Sequence, residues 1–225
     1  MEAIRKPDLK LVGIGSTQGG EVGMAKIEGI GRVKGSIRCT DFVLDGIATI
    51  HGSLESVKAR LYGTSHIEGN MLAKQLELYG KVTIDGDLIG DFMEMNGMLT
   101  IKGKCEMETF RGSGRLQIGL LNAGTVELKI QGNCSIGEIG GERISIRKGS
   151  SKGLLKWLKT LPVPFSDKLS VHTIEGDDIH VEFTKAKVVR GNNVTIGAGC
   201  EIELVEYKEK FVQDKSAHVG SKVKL

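Results

Sequence analysis

Five histidines and four cysteines are the side chains of this sequence with the widest chemical reach, and their spacing decides what they could do. Cys39, Cys105, Cys134 and Cys200 stand far apart and form no C-x-x-C pair, so they suit neither a zinc ribbon nor a redox couple. They read as free, buried thiols of a reducing compartment. A histidine works as a general base only beside a positioned partner. His51 and His66 have no carboxylate that the sequence assigns to stack on them, and His172, His180 and His218 lie near an insertion and a tail. All five read as solvated surface residues. Gly13-Ile14-Gly15 and Gly19-Gly20 do not complete a dinucleotide fingerprint, and neither a P-loop nor a G-x-S-x-G elbow occurs. The expectation is a protein that is not an enzyme, with no catalytic residue, cofactor or metal.

What positions these residues is a repeat. An aliphatic residue, any residue and then Gly recur as Ile27-Glu28-Gly29, Val33-Lys34-Gly35, Leu44-Asp45-Gly46 and Ile50-His51-Gly52. The series runs on through Leu61, Ile67, Leu78 and Ile84 to Met95-Asn96-Gly97 and Ile101-Lys102-Gly103. Its glycines alternate steps of 6 and 11, a period of 17 held without a slip. Such a unit is too short for a helix plus a strand, but it holds three short strands. Columns at repeat positions 1, 5, 7, 11, 13 and 16 are expected to point inward. Position 7, for example, reads Val33, Ile50, Ile67, Ile84, Ile101. The pairs 5/7, 11/13 and 16/1 are two residues apart, which is strand alternation. The scarcity of aromatics (4%), the 32 glycines and the absence of proline between Pro7 and Pro162 fit many short strands and tight turns.

The spacing therefore predicts an all-β fold, a right-handed parallel β-helix in the form of a triangular solenoid with 17 residues per turn. Right-handedness follows from the chirality of parallel crossovers. Stacking, not any single turn, buries the core. Tyr62 and Tyr79 are expected to stack on adjacent turns, and Arg60 to lie over Glu77 and Glu94 over Arg111. Hexapeptide acyltransferases also build coils from aliphatic-Gly repeats, but on a strict six-residue step that the 11-residue gap breaks.

Composition also excludes classes. A net charge of +3 is too mild to point to nucleic acid. The start, MEAIRKPDLKLVG, lacks the apolar stretch of a signal peptide, and no run approaches a membrane span. The expectation is a cytoplasmic protein.

The expected organisation is an N-terminal lead (1–23), a β-helix (24–149), an insertion with an amphipathic helix (150–172), a continuation of the β-helix (173–211) and a charged, half-ordered tail (212–225). One irregular turn is expected near 119–125, where the 17-residue step fails. In the insertion, Ser150 or Ser151 can cap a short helix that Pro162 ends. Leu154, Leu155, Trp157, Leu158 and Leu161 share a broad face; Lys152, Lys156 and Lys159 lie opposite. Two readings stand: a membrane-surface helix, or a plug packed on the coil.

The 17-residue coil of aliphatic-x-Gly signatures resembles the bactofilins, polymer-forming bacterial cytoskeletal proteins. The stretch Val188 to Tyr207, VVRGNNVTIGAGCEIELVEY, is similar to the C-terminal segment of a longer Gram-positive branch of that family. The resemblance covers roughly 24–149 and 173–207. It implies a scaffold that polymerises end to end without nucleotide, near the inner face of the cell membrane or the cell-wall machinery. Its expected partners are further copies of the chain, a related paralogue and a membrane surface, with no nucleic acid. This chain departs from the family pattern in being longer and split by the insertion.

The open rungs of such a coil are templates for another chain. The lead from Gly13 to Gly23, rich in glycine, reads as a poor cap. The expected polymer contacts are Met24, Ile27, Ile30 and Phe42 on a first rung and Val205, Tyr207 and Phe211 at the far end. The competing reading is a monomeric β-helix that binds a polymer such as cell-wall glycan, using Tyr62, Tyr79 and Phe92.

Overall fold

In a computed structural model of the 225-residue chain, residues 6–149 and 167–225 are described. All regular structure among them is β. The strands are β1 (Leu9–Thr17), β2 (Gly20–Glu21), β3 (Met24–Val33), β4 (Ile37–Ile50), β5 (Leu54–Ile67) and β6 (Met71–Ile84). They continue with β7 (Leu88–Ile130), β8 (Asn133–Lys148), β9 (Lys168–Val181), β10 (Thr184–Ile196), β11 (Glu201–Gln213) and β12 (His218–Lys224). The chain divides into two compact units, Met1–Thr109 and Phe110–Leu225, and the division falls inside β7. Each unit is a parallel β-solenoid.

From β3 onward in the first unit the register is the predicted one. Ile50 lies opposite Ile67 and Ile67 opposite Ile84, and all three are fully buried. Leu44, Leu61 and Leu78 form a second such column. Burying each aliphatic side chain is worth about 1.5–3 kcal/mol. Because all the rungs run parallel, every inward column continues from one strand to the next. Outward, Tyr62 and Tyr79 stack with ring centroids 5.6 Å apart, and Arg60 pairs in register with Glu77.

Two glycine columns make the corners. Gly29, Gly46, Gly63, Gly80 and Gly97 all have φ between +112° and +143°, backbone that L side chains rarely adopt. A Cβ on Gly63 would collide with the carbonyl oxygen of Gly46 on the rung before it. Beside the other corner runs a ladder of side-chain acceptors. The amide of Ser53 donates to Ser36 Oγ (3.0 Å), that of Asn70 to Ser53 Oγ (3.1 Å), and that of Asp87 to Asn70 Oδ1 (2.9 Å). Small polar residues at this position thus satisfy amides that the turn takes out of the main-chain ladder.

Two interior hydroxyls, those of Ser56 and Ser65, find no partner among the described residues. Ser65 sits between Ala48 and Val82 in an otherwise apolar column. Desolvating a hydroxyl without a hydrogen bond is unfavourable. Ser65→Ala is therefore expected to stabilise the first unit by about 1 kcal/mol, read as a raised urea midpoint at unchanged m-value. A lowered midpoint would contradict the placement of that side chain.

The cysteines are all free and buried. Burial pushes the Cys39 and Cys200 thiols up to about 11, and it raises Cys105 and Cys134 as well. Thiolate is thus scarce at neutral pH. A thiol reagent is expected to label the native protein far more slowly than the denatured chain, in which all four cysteines react. Native labelling at the denatured rate would sink this assignment.

The second unit keeps parallel stacking but not the ruler. Gln117 lies opposite Ser135, a step of eighteen, and Leu169 opposite Thr184, a step of fifteen. The stretch 119–125, where an irregular turn is expected, lies inside β7 and pairs with β8 at a constant step of eighteen. Ile144, Ile179 and Val194 continue one buried column across β8, β9 and β10.

Two boundaries move. Strand β9 begins at Lys168, inside the segment expected to be insertion, because Leu169 and Val171 alternate inward and pair with Cys134 and Ile136. The tail is not half-ordered over its whole length. Asp214 accepts hydrogen bonds from the amide and hydroxyl of Ser216, closing a turn, and β12 then pairs with β11. The helix expected between Ser150 and Pro162, with Lys152, Leu154, Leu155, Lys156, Trp157, Leu158, Lys159 and Leu161, lies outside the described residues.

Candidate functional site

Among the described residues, β1 and β12 are the strands that stand at the ends of the pairing order. Each pairs on one side only, β1 with β3 and β12 with β11. Their other edges carry main-chain N–H and C=O groups available to an added strand. These two edges, each at the end of its own unit, are the candidate site.

The predicted contact residues lie one rung further in. Ile27 and Phe42 are buried at 0% and 1% exposure, on strands paired on both sides, and so form core instead of edge. Val205 is likewise buried, under β12. Met24 and Ile30 are exposed but point sideways from β3. Tyr207 and Phe211 are half-buried and stack on each other at 5.4 Å. The cause is the same at each end: an extra rung. Leu9–Thr17 pairs with Ala25–Val33 at a step of sixteen, so a 17-residue ruler misses it, and its glycines disguise it as a cap. His218–Lys224 hides in a charged tail that lacks the signature altogether.

The two edges differ in chemistry. On β1 the outward side chains are Lys10, Val12, Ile14 and Ser16. Val12 is 65% exposed and Ile14 84%. Ile14 lies over Ile30 and Ile30 over Ile47, so an exposed isoleucine ladder leads from the edge across the first rungs. On β12, Lys222 and Lys224 accompany the exposed Val223, and Lys222 Nζ sits 5.6 Å from the centre of the Phe211 ring. Lysines on an edge strand discourage pairing; β1 bears one lysine among its nine residues and a larger apolar exposure.

Away from the edges, His51, His66 and His180 have acidic partners, the last with its Nε2 3.2 Å from Glu182 Oε1. His51 Nδ1 lies 2.8 Å from Glu68 Oε1, and His66 Nε2 lies 2.9 Å from Asp85 Oδ2. Lys102 Nζ approaches the other Asp85 oxygen at 2.8 Å. Lys102 and then His66 hold the Asp85 carboxyl below its ordinary range. Glu68 and Asp85 follow His51 at seventeen-residue steps in one outward column, so the signal was in the repeat; a histidine reaching nineteen residues on, as His66 does, was not. The arrangement is a string of polar contacts along a solenoid face, with the Lys102–Asp85 ion pair at one end. Tyr62 and Tyr79 cover one another's ring faces, which leaves only their outer faces and edges for a sugar.

No family model and no solved structure matches the chain. Over 108 residues, 48% of its length, it is 43% identical to the uncharacterized protein YhbE of Bacillus subtilis (strain 168), covering 44% of that protein. It is 37% identical over 108 residues to the uncharacterized protein YhbF of the same organism, covering 42% of it. The matched region thus spans less than half the length of these curated relatives, and the likeness is to two Bacillus subtilis proteins that are themselves uncharacterized.

Proposed function

We propose that this chain is a non-catalytic, self-assembling scaffold of the bactofilin type, which joins copies through its end strands without nucleotide. The observation that carries the reading is β1: an edge strand paired on one side, with Val12 and Ile14 exposed on it. An open β edge is a standing template, so no bound nucleotide is needed to create it. Antiparallel pairing of two β1 strands about Gly13 sets Val12 of one copy opposite Ile14 of the other and Lys10 opposite Ser16. No like charges face each other. Such a contact is isologous.

The β12 edge is the second contact, and its lysines make it sensitive to salt. Lys222 and Lys224 of two copies repel at low ionic strength and are screened at higher ionic strength. Sedimentation of the purified protein without nucleotide tests both parts. Dimers are expected at low salt and longer assemblies as salt and protein concentration rise. A monomer at every concentration would overturn the reading. We further propose a cytoplasmic site of action, with a related paralogue and the membrane surface as partners and the segment carrying Trp157 as the membrane contact. Loss of liposome binding in Trp157→Glu, with the fold intact, is the outcome that supports the last point.

A further inference from the structure

We propose that the second unit binds a phosphate-bearing ligand on the open face of β8, at a site centred on Arg143, Ser145 and Arg147. These three residues alternate outward along one strand, so their side chains emerge roughly 6.6 Å apart, two residues of strand each. They line a surface hollow of about 420 Å³, which His180 on β9 and Thr195 on β10 also line.

What sets the hollow apart is which of its groups are already engaged. Each of its two carboxylates has a partner: Asp178 Oδ1 accepts from Asn193 Nδ2 at 2.9 Å, and Glu127 Oε2 lies 3.3 Å from Arg111 Nε. The donors are largely free. Arg143 spends one N–H on Thr125 Oγ1 at 3.0 Å and lies 3.6 Å from Glu142, which points to solvent. Arg147, Ser145 and Thr195 have no side-chain partner among the described residues. His180 Nε2 is engaged by Glu182 Oε1 at 3.2 Å, so the hollow offers two guanidinium forks and the hydroxyls of Ser145 and Thr195 to whatever enters, with a partner already on each of its two carboxylates. Guanidinium forks match the geometry of phosphate oxygens, and hydroxyls complete the shell. The two arginines stand about 13 Å apart along the strand, two such steps, with the Ser145 hydroxyl between them. One phosphate reaches one fork; a ligand with several phosphates in a row spans both. The shared chemistry is the phosphate group, on a free phosphate chain or on a lipid headgroup.

The test is calorimetric titration of the full chain at low salt with tripolyphosphate and with inorganic phosphate, and co-sedimentation with phosphatidylcholine vesicles with and without phosphatidylglycerol. Saturable binding of tripolyphosphate, tighter than that of inorganic phosphate, is expected. Arg147→Gln touches no described partner and should leave the fold intact while weakening binding about tenfold, the scale of one charge-assisted contact. The double variant Arg143→Gln/Arg147→Gln should abolish it. Lys185→Gln/Lys187→Gln removes the same charge elsewhere on the unit and should change little. Binding to the anionic vesicles alone, lost in the arginine variants, assigns the phosphate to a lipid headgroup; binding to tripolyphosphate assigns it to a free chain. No saturable binding to any probe, or equal weakening by the arginine and lysine variants, overturns the proposal.

Discussion

Replacing Val12 and Ile14 together by lysine leaves the solenoid folded and removes association through β1. Both side chains point outward, so neither change touches the core. In the paired state each copy covers two aliphatic side chains. Covering one such side chain completely is worth about 1.5–3 kcal/mol. The substitution also sets lysines near lysines across the twofold, the device by which natural edge strands resist pairing. Together these effects are expected to raise the protein concentration needed for dimers about a hundredfold or more. Sedimentation velocity checks this, with circular dichroism as the control for folding. Wild-type association in a folded double variant would show that copies meet elsewhere.

The largest expected loss of stability comes from one methyl group. Gly63→Ala puts a Cβ against the carbonyl oxygen of Gly46, at a residue whose φ is +128°. Non-glycine residues in such regions cost about 1–3 kcal/mol from strain alone. The collision then has to be relieved by moving one rung off its neighbour, which disturbs the hydrogen bonds of two strands. A total of about 3–5 kcal/mol is expected, and the melting temperature of the first unit should fall by about 15 °C or more. Gly13→Ala is the internal comparison. Its φ is +83°, but a Cβ there meets nothing within 4 Å. It should lose only the strain, about 1–2 kcal/mol. Equal losses at the two positions would mean that close approach between rungs does not govern the glycine column.

The contrast between those two glycines also explains what the sequence could disclose. From Ile27 to Ile101 every inward residue was legible, because a repeat of 17 aligns Ile50, Ile67 and Ile84 without knowledge of any contact. The regularity is physical: each rung must match the one below in length, or the backbone ladder slips. Where bulges or loops absorb a change in length, the ruler fails. Leu9–Thr17 sits one residue short of the period, so in the sequence its rung looks like a weak cap. The steps of eighteen and fifteen in the second unit left alternation visible but not register.

The site was less legible than the fold for a related reason. Core columns announce themselves by repetition, whereas an edge is defined by the neighbour it lacks. The period places the first rung at Ile27 instead of Leu11, which shifts the predicted interface inward by one strand, onto Ile27 and Phe42, which are core. Val12 and Ile14 carry no motif; only their position on an edge strand marks them. The same holds for Arg143, Ser145 and Arg147, whose alternation is common in β sequences and gains meaning only from the partnered carboxylates around them.

Electron microscopy of the purified full chain, without nucleotide and over a range of salt and protein concentration, bears most directly on whether end strands build a scaffold. The expected image is unbranched filaments that lengthen with salt and vanish in Val12→Lys/Ile14→Lys. Monodisperse single molecules at the highest concentration and salt would contradict it.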